Sequence, residues 1–181
     1  MEAEVFATDR LILRRLSPDD APFILELVND PDWLRFIGDR NVRNLDDARE
    51  YIRKGPVDSY ARLGFGLYAM VRRDGGPPIG MCGLLRRDFL EDADIGFALL
   101  PAHRGRGYAR EAARATLVYA RDELGLGRIV AITSRDNERS GRLLEEVGLR
   151  FERMIRIPGP PSEEVRLYGS DDPRSGNLPA R

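Results

Sequence analysis

Residues 10–16 (RLILRRL) read as a β-strand, and Ser17-Pro18-Asp19-Asp20 then supplies an N-cap, a proline at the first helical position and acids in the first turn. A helix to about residue 29 is expected, broken by Asp30-Pro31. A short apolar piece follows at residues 33–37, and Asn44 can cap an amphipathic helix running to about Lys54, before Gly55-Pro56. Three apolar runs come next. Residues 65–73 and 79–86 flank the turn Asp74-Gly75-Gly76-Pro77-Pro78 as a hairpin, and residues 93–100 complete a meander. After Pro101 and a glycine-rich turn, residues 108–124 have the composition and spacing of a strong helix. The pattern ends as strand 128–133, helix 137–147 stopped by Gly148, and a hairpin of residues 151–157 and 165–169. Residues 171–181 read as a disordered tail. With no internal repeat and no long linker, the order describes one mixed α/β (α+β) domain over residues 1–170.

Composition narrows the function. At 181 residues, with 42% hydrophobic and 33% charged residues, the chain can bury a core unaided. Its 29 basic and 30 acidic residues leave a formal charge of -1, which lacks the basic excess that grips nucleic acid. The single cysteine, Cys82, forms no internal disulfide, and with His103 as the only histidine no metal site is expected. No apolar run nears the ~20 residues that cross a bilayer, and Met1-Glu2-Ala3-Glu4 is acidic where a signal peptide is basic. The expectation is a reduced, cytoplasmic protein with no membrane partner.

The segment Arg104-Gly105-Arg106-Gly107-Tyr108-Ala109 places two glycines and several N–H groups at a helix N-terminus directly after a strand. First-turn N–H groups have no intrahelical acceptor and the helix dipole adds roughly +0.5 charge, so such a turn attracts phosphate, with Arg104 and Arg106 adding charge around it. Read by itself, the turn is equally a tight glycine corner with solvated arginines. A Walker A loop is excluded by the missing Gly-Lys-Ser/Thr, and a dinucleotide fingerprint by Arg110 in place of the third glycine.

Arg104-x-x-Gly107-x-Ala109 between a strand and a long helix resembles the acyl-CoA signature of the GNAT N-acetyltransferase superfamily. Thr8-Asp9-Arg10-Leu11-Ile12-Leu13-Arg14 with Asp20-Ala21, the strand Ala93-Asp94-Ile95-Gly96-Phe97, and Asn137-x-x-Ser140 with Gly148 resemble its Rim-type branch, which includes ribosomal-protein N-terminal acetyltransferases. The resemblance spans roughly residues 8–169 and four ordered motifs. It implies a central, mostly antiparallel sheet of six to seven strands flanked by about four helices. It also implies that the acetyl-CoA pyrophosphate rests on the N–H groups of residues 105–109, with pantetheine beside strand 93–100 as an added strand. Asn137 and Ser140 match positions that contact the pantetheine arm and thioester end; helix capping is their structural alternative.

The implied reaction is direct attack of a primary amine on the thioester, at a protein N-terminus or on a small molecule. An α-amine with a pKa near ~8 is easier to deliver neutral than a lysine near ~10.4. Asp94 matches the position where Rim-type relatives often carry a carboxylate and is the candidate base, against the alternative of a solvated strand residue. The resemblance implies oxyanion stabilisation by a backbone N–H near Leu99. Where many GNAT members place a tyrosine four residues after the Ser140 position, this chain has Leu144, which leaves Ser140 or water to protonate the thiolate. Trp33 and Phe36 lie where the resemblance puts acceptor contacts, with core packing the competing and stronger role; His103 reads as a surface or adenine-side residue and Cys82 as a core residue. The acidic loop 158–164 suits a cationic amine. A non-catalytic acyl-CoA sensor is the second reading, and a homodimer is left open.

Overall fold

The computed structural model describes residues 4–159 and 162–171. Residues 172–181, most of the expected tail, and residues 160 and 161 of the acidic loop lie outside the described residues. Among the described residues eight strands form one sheet: β1 (Glu4–Ala7), β2 (Leu11–Arg14), β3 (Leu67–Arg72), β4 (Gly80–Leu85), β5 (Ala93–Leu99), β6 (Ile129–Ser134), β7 (Arg150–Ile157) and β8 (Glu163–Gly169). Their spatial order is β1-β2-β3-β4-β5-β6-β8-β7, antiparallel throughout except where β5 meets β6. Among the described residues six α-helices accompany the sheet: α1 (Ala21–Val28), α2 (Pro31–Phe36), α3 (Leu45–Ile52), α4 (Asp58–Leu63), α5 (Tyr108–Asp122) and α6 (Glu138–Glu146).

The central strands of the sheet are buried on both faces. Leu11, Leu13, Tyr68, Met70, Cys82, Leu84 and Ile95 pack with Ala112, Ala113 and Ala120 of α5. Ala69 and Met81, on alternate positions of the same strands, meet Ile24 and Leu27 of α1, Trp33 of α2, and Ala48 and Ile52 of α3. Cys82 is fully buried and shares a 3.3 Å contact with Thr116, and burial pushes its thiol up to about 12, so it is a core residue as expected. In the middle of β4 only glycine fits at position 83, because a Cβ there would run into the Gly66 carbonyl.

Two sequence expectations are corrected. The sheet has eight strands, because Glu4–Ala7 pairs with β2 as an additional edge strand. Gly55-Pro56 does not end helical structure: Arg53–Val57 forms a wide π-type turn between α3 and α4, with Asp58 N–H bonded to Arg53 O. Proline lacks an N–H and clashes with a regular i−4 carbonyl, and widening the turn relieves that conflict while Pro56 packs inward.

Candidate active site

The pairing of β5 with β6 covers only Ala93↔Ile129 and Asp94↔Val130, after which the two strands diverge. β6 stays paired with β8 from Val130 to Ser134, and β5 with β4 from Asp94 to Leu99, so the sheet splits between them. Leu100 N–H donates to Ile79 O, which fixes the alternation along β5 and turns the main-chain groups of Phe97 and Leu99 toward the gap. Strand-like N–H and C=O groups facing an open split can hold an extended amide chain. A cavity of about 840 Å³ follows the split, lined by residues 95–99 of β5, residues 131–134 of β6, and the start of α5.

The glycine turn forms one end of this cavity. Gly105 and Gly107 adopt φ of +73° and +81°, in the left-handed region that glycine enters without penalty. The first intrahelical acceptor of α5 is Gly107 O, taken by Glu111 N–H at 3.0 Å, so the N–H groups of Tyr108, Ala109 and Arg110 have no helical partner. Gly105, Gly107, Tyr108, Ala109 and Arg110 all line the cavity. The strand β2 end of the motif at residues 8–14 has a structural task here. Thr8 Oγ1 (2.5 Å), Arg10 N (2.9 Å) and Arg10 Nε (2.6 Å) all donate to Glu111, and Arg10 Nη1 donates to Arg106 O at 3.0 Å. The turn is thus braced from the far edge of the sheet.

Arg104 differs from its expected role. Its Nε donates to Leu99 O at 3.0 Å, Nη1 to Asp32 at 2.7 Å, and Nη2 to Asp30, so its guanidinium is committed away from an anion at the helix N-terminus. Asp30 also caps α2 by accepting from Asp32 N–H and Trp33 N–H. Asp32 takes a second bond from Arg139 of α6 at 3.1 Å, and Ser134 Oγ donates to Phe36 O at 2.8 Å. α2 therefore spans the split, tied to the β5 side through Arg104 and to the β6 side through Arg139 and Ser134. Arg106 is exposed, and its side chain does not line the cavity.

Asp94 sits at the fork of the split and lines the cavity. It is 1% exposed, which removes the reading of a solvated strand residue. Arg87 Nε donates to both carboxylate oxygens, at 3.1 and 3.0 Å. Burial raises the Asp94 pKa above its ordinary value, with Arg87 opposing the shift. Asn137 Oδ1 accepts from Ser140 N–H at 3.1 Å, so the capping role is present, while both residues also line the cavity. Leu144, in place of the family tyrosine, is buried in the core at its edge. Trp33 is buried in the α1–α3 cluster and Phe36 is half-buried, and both face the cavity wall.

His103 lies in the 3-10 turn after β5 and does not line the cavity; burial and the Arg106 charge lower its pKa. None of the described residues of loop 158–164 lines the cavity either, so its acidity does not set the charge there. The cavity is also lined by Arg40, Tyr51, Lys54, Asp58, Arg62, Arg86 and Arg87, none of which the sequence singled out. They come from the α2–α3 connection, α3, the π-type turn, α4 and the segment after β4, and no spacing in the chain announces their meeting.

Comparison with known proteins follows the same geometry. Residues 10–150 match the Acetyltransferase (GNAT) domain family. The chain is 31% identical over 155 residues to the "Uncharacterized N-acetyltransferase YoaA" of Bacillus subtilis, covering 84% of this chain and 86% of that protein. It is 29% identical over 157 residues to the "Putative ribosomal N-acetyltransferase YdaF" of the same organism, covering 82% of each. A GNAT-family acetyltransferase structure from Bacillus anthracis superposes with a TM-score of 0.75 at 25% identity, covering 90% of this chain and 95% of that one.

Proposed function

The chain belongs to the GNAT family of N-acetyltransferases, and we propose that it moves an acetyl group from acetyl-CoA to a primary amine, at a protein N-terminus or on a small molecule. The observation that carries this reading is the split between β5 and β6 running from the unpaired N–H groups at the start of α5 to the buried carboxylate of Asp94. In this reading the N–H groups of residues 105–109, the side chain of Arg106 by its charge, and the first turn of α6 with Asn137 and Ser140 hold acetyl-CoA. Phe97 offers its main-chain N–H and C=O to the cofactor's amide arm. Arg104 contributes by fixing Leu99 O and α2, with its own charge already neutralised. The similarity to YdaF, named for ribosomal N-acetylation, supports a ribosomal-protein acceptor, in keeping with the Rim-type resemblance.

For the transfer, Asp94 accepts the proton of the incoming ammonium, directly or through water. A carboxylate whose pKa burial has raised is a better base than an exposed one. The amine nitrogen then bonds to the thioester carbon, Leu99 N–H stabilises the negative charge on the carbonyl oxygen, and the C–S bond breaks. The nitrogen sheds its second proton as the bond to sulfur breaks, and the thiolate takes up that proton, relayed through Ser140 or water, because Leu144 has no proton to give or pass on. We place the catalytic domain at residues 1–170. No helix among the described residues is long and apolar enough to cross a membrane, and the reading is of a cytoplasmic enzyme. The non-catalytic sensor has no specific observation in its favour.

Calorimetric titration with acetyl-CoA, CoA, ATP and NAD, followed by thiol release in a panel of amines and N-terminal peptides, tests the reading. Binding of acetyl-CoA with amine-dependent thiol release is the expected result. Binding of ATP or NAD in its place would remove the reading, and binding without turnover on any amine would leave a sensor. A pH series separates the role of Asp94. Since the base must be ionised and its pKa is raised, kcat/KM should fall on acidification through a limb lying above the ordinary aspartate value. Asp94→Asn should lower kcat by at least ~100-fold and lose that limb, with acetyl-CoA affinity retained; an unchanged acidic limb in the variant would assign the proton to another group.

A further inference from the structure

We infer that the amine acceptor carries a carboxylate a few bonds from its nitrogen, and that this carboxylate docks between Arg87, Arg40 and the Tyr51 hydroxyl. The inference rests on the acetyl-transfer reading and names its acceptor class. The part of the cavity lining contributed by residues 37–63 and by the segment after β4 carries five basic side chains, Arg40, Lys54, Arg62, Arg86 and Arg87, with one carboxylate, Asp58, and with Asp94 of β5 joined to it through Arg87. Three of the five are paired: Lys54 with Glu50 at 2.7 Å, Arg62 with Asp58 at 2.7 Å, and Arg87 with Asp94 at 3.0 Å. No carboxylate among the described residues pairs with Arg40 or Arg86. Arg40 makes only a long 3.5 Å contact with Ile37 O.

The pairing of Arg87 is also incomplete in a useful way. Both bonds to Asp94 come from Nε alone, so the two terminal amino groups, with four N–H donors, keep their capacity for a second anion. Tyr51 belongs to the same part of the lining, and the positive charges of Arg40 and Arg87 both act on its phenol. Burial raises the Tyr51 pKa, which keeps it a hydrogen-bond donor. Two guanidinium groups and a phenol from three separate elements thus line the cavity that holds the carboxylate taking the ammonium proton, and one of them, Arg87, is bonded to it.

Arg87 is the link that sets the spacing. One guanidinium bridges Asp94 on its Nε side and the acceptor carboxylate on its terminal side, so amine and anion must lie within about one guanidinium width of each other. A free amino acid meets that requirement, and so does a peptide N-terminus followed closely by an acidic side chain. A polyamine does not, because its second ammonium would face Arg40, Lys54 and Arg87 with no uncommitted carboxylate among the described lining residues.

The test compares matched acceptors at saturating acetyl-CoA: amino acids against their amides, tripeptides with Glu or Gln at the second position, and spermidine. The expected result is at least about a tenfold higher kcat/KM for members with the carboxylate, and no turnover of spermidine. A preference confined to the Glu tripeptide would identify an acidic peptide as the source of the carboxylate, and one confined to free amino acids a small molecule. Arg40→Gln should raise KM for carboxylate acceptors about tenfold and leave kcat, the KM for amides and acetyl-CoA affinity unmoved. Equal rates on acid and amide, turnover of spermidine, or equal loss on both acceptors in Arg40→Gln would overturn the inference. Should acetyl-CoA fail to bind, the parent reading falls separately, and titration with N-acetylglutamate against its diamide still decides the anion site. Tighter binding of the diacid, weakened in Arg40→Gln, supports it, and equal binding removes it.

Discussion

Gly107→Asp is expected to weaken acetyl-CoA binding by roughly 100-fold, about 2–3 kcal/mol, while Gly107→Asn loses far less. Position 107 has φ +81°, a conformation that asparagine and aspartate enter more readily than other side chains. A Cβ there would lie 3.3 Å from Arg10 Nη2 and 3.8 Å from Arg110 Nη2, the far ends of flexible arginines that can give way. Both variants should therefore fold. They differ only by a negative charge set against the N–H groups of Tyr108, Ala109 and Arg110, where the reading places a pyrophosphate. Calorimetric titration of the two variants, with thermal melts to control for folding, separates charge from backbone strain. Equal affinities for the Asp and Asn variants would mean that the pyrophosphate binds elsewhere.

Arg104→Met is expected to destabilise the fold by about 3 kcal/mol, which for a chain of this size lowers Tm by roughly 6–12 °C. The cause is the carboxylate left behind. Asp30 is 7% exposed, and without Arg104 only the α2 N–H groups are left to face its carboxylate. Arg104→Met combined with Asp30→Asn should recover most of the loss, since asparagine still caps α2 and no buried charge remains. Thermal unfolding of the single and double variants measures the difference. A single variant that melts with the parent would show that α2 is held by packing alone.

The parts of the site that sequence made legible are those built from consecutive residues. Gly105 and Gly107 announce the turn because only the backbone matters there, and Asn137-x-x-Ser140 announces a cap because both ends of the bond lie in one helical turn. Asp94 is identifiable as a residue but not as a buried one, since it is enclosed between β4 and β6, and its β6 neighbour Val130 lies far along the chain. Arg104 was misread for a related reason. An arginine beside a phosphate turn looks available until Asp30 and Asp32, more than seventy residues earlier, are found to occupy it. The strand at Glu4–Ala7 is four residues long with one charged position, too short for an alternation to stand out. The helical path through Gly55-Pro56 was hidden because local propensity favours a break, and tertiary packing of Pro56 overrides it. Arg40, Tyr51 and Arg87 meet only through the fold, so no linear pattern could name them.

Cys82 gives the molecule a built-in clock. As the chain's one thiol, enclosed between the sheet and α5, it reacts with a thiol reagent only when that interface opens. Thiol liberated by turnover is therefore counted against a silent background while the protein is folded. In the absence of substrate, the slow labelling of the same sulfur reports how often the helix lifts from the strands.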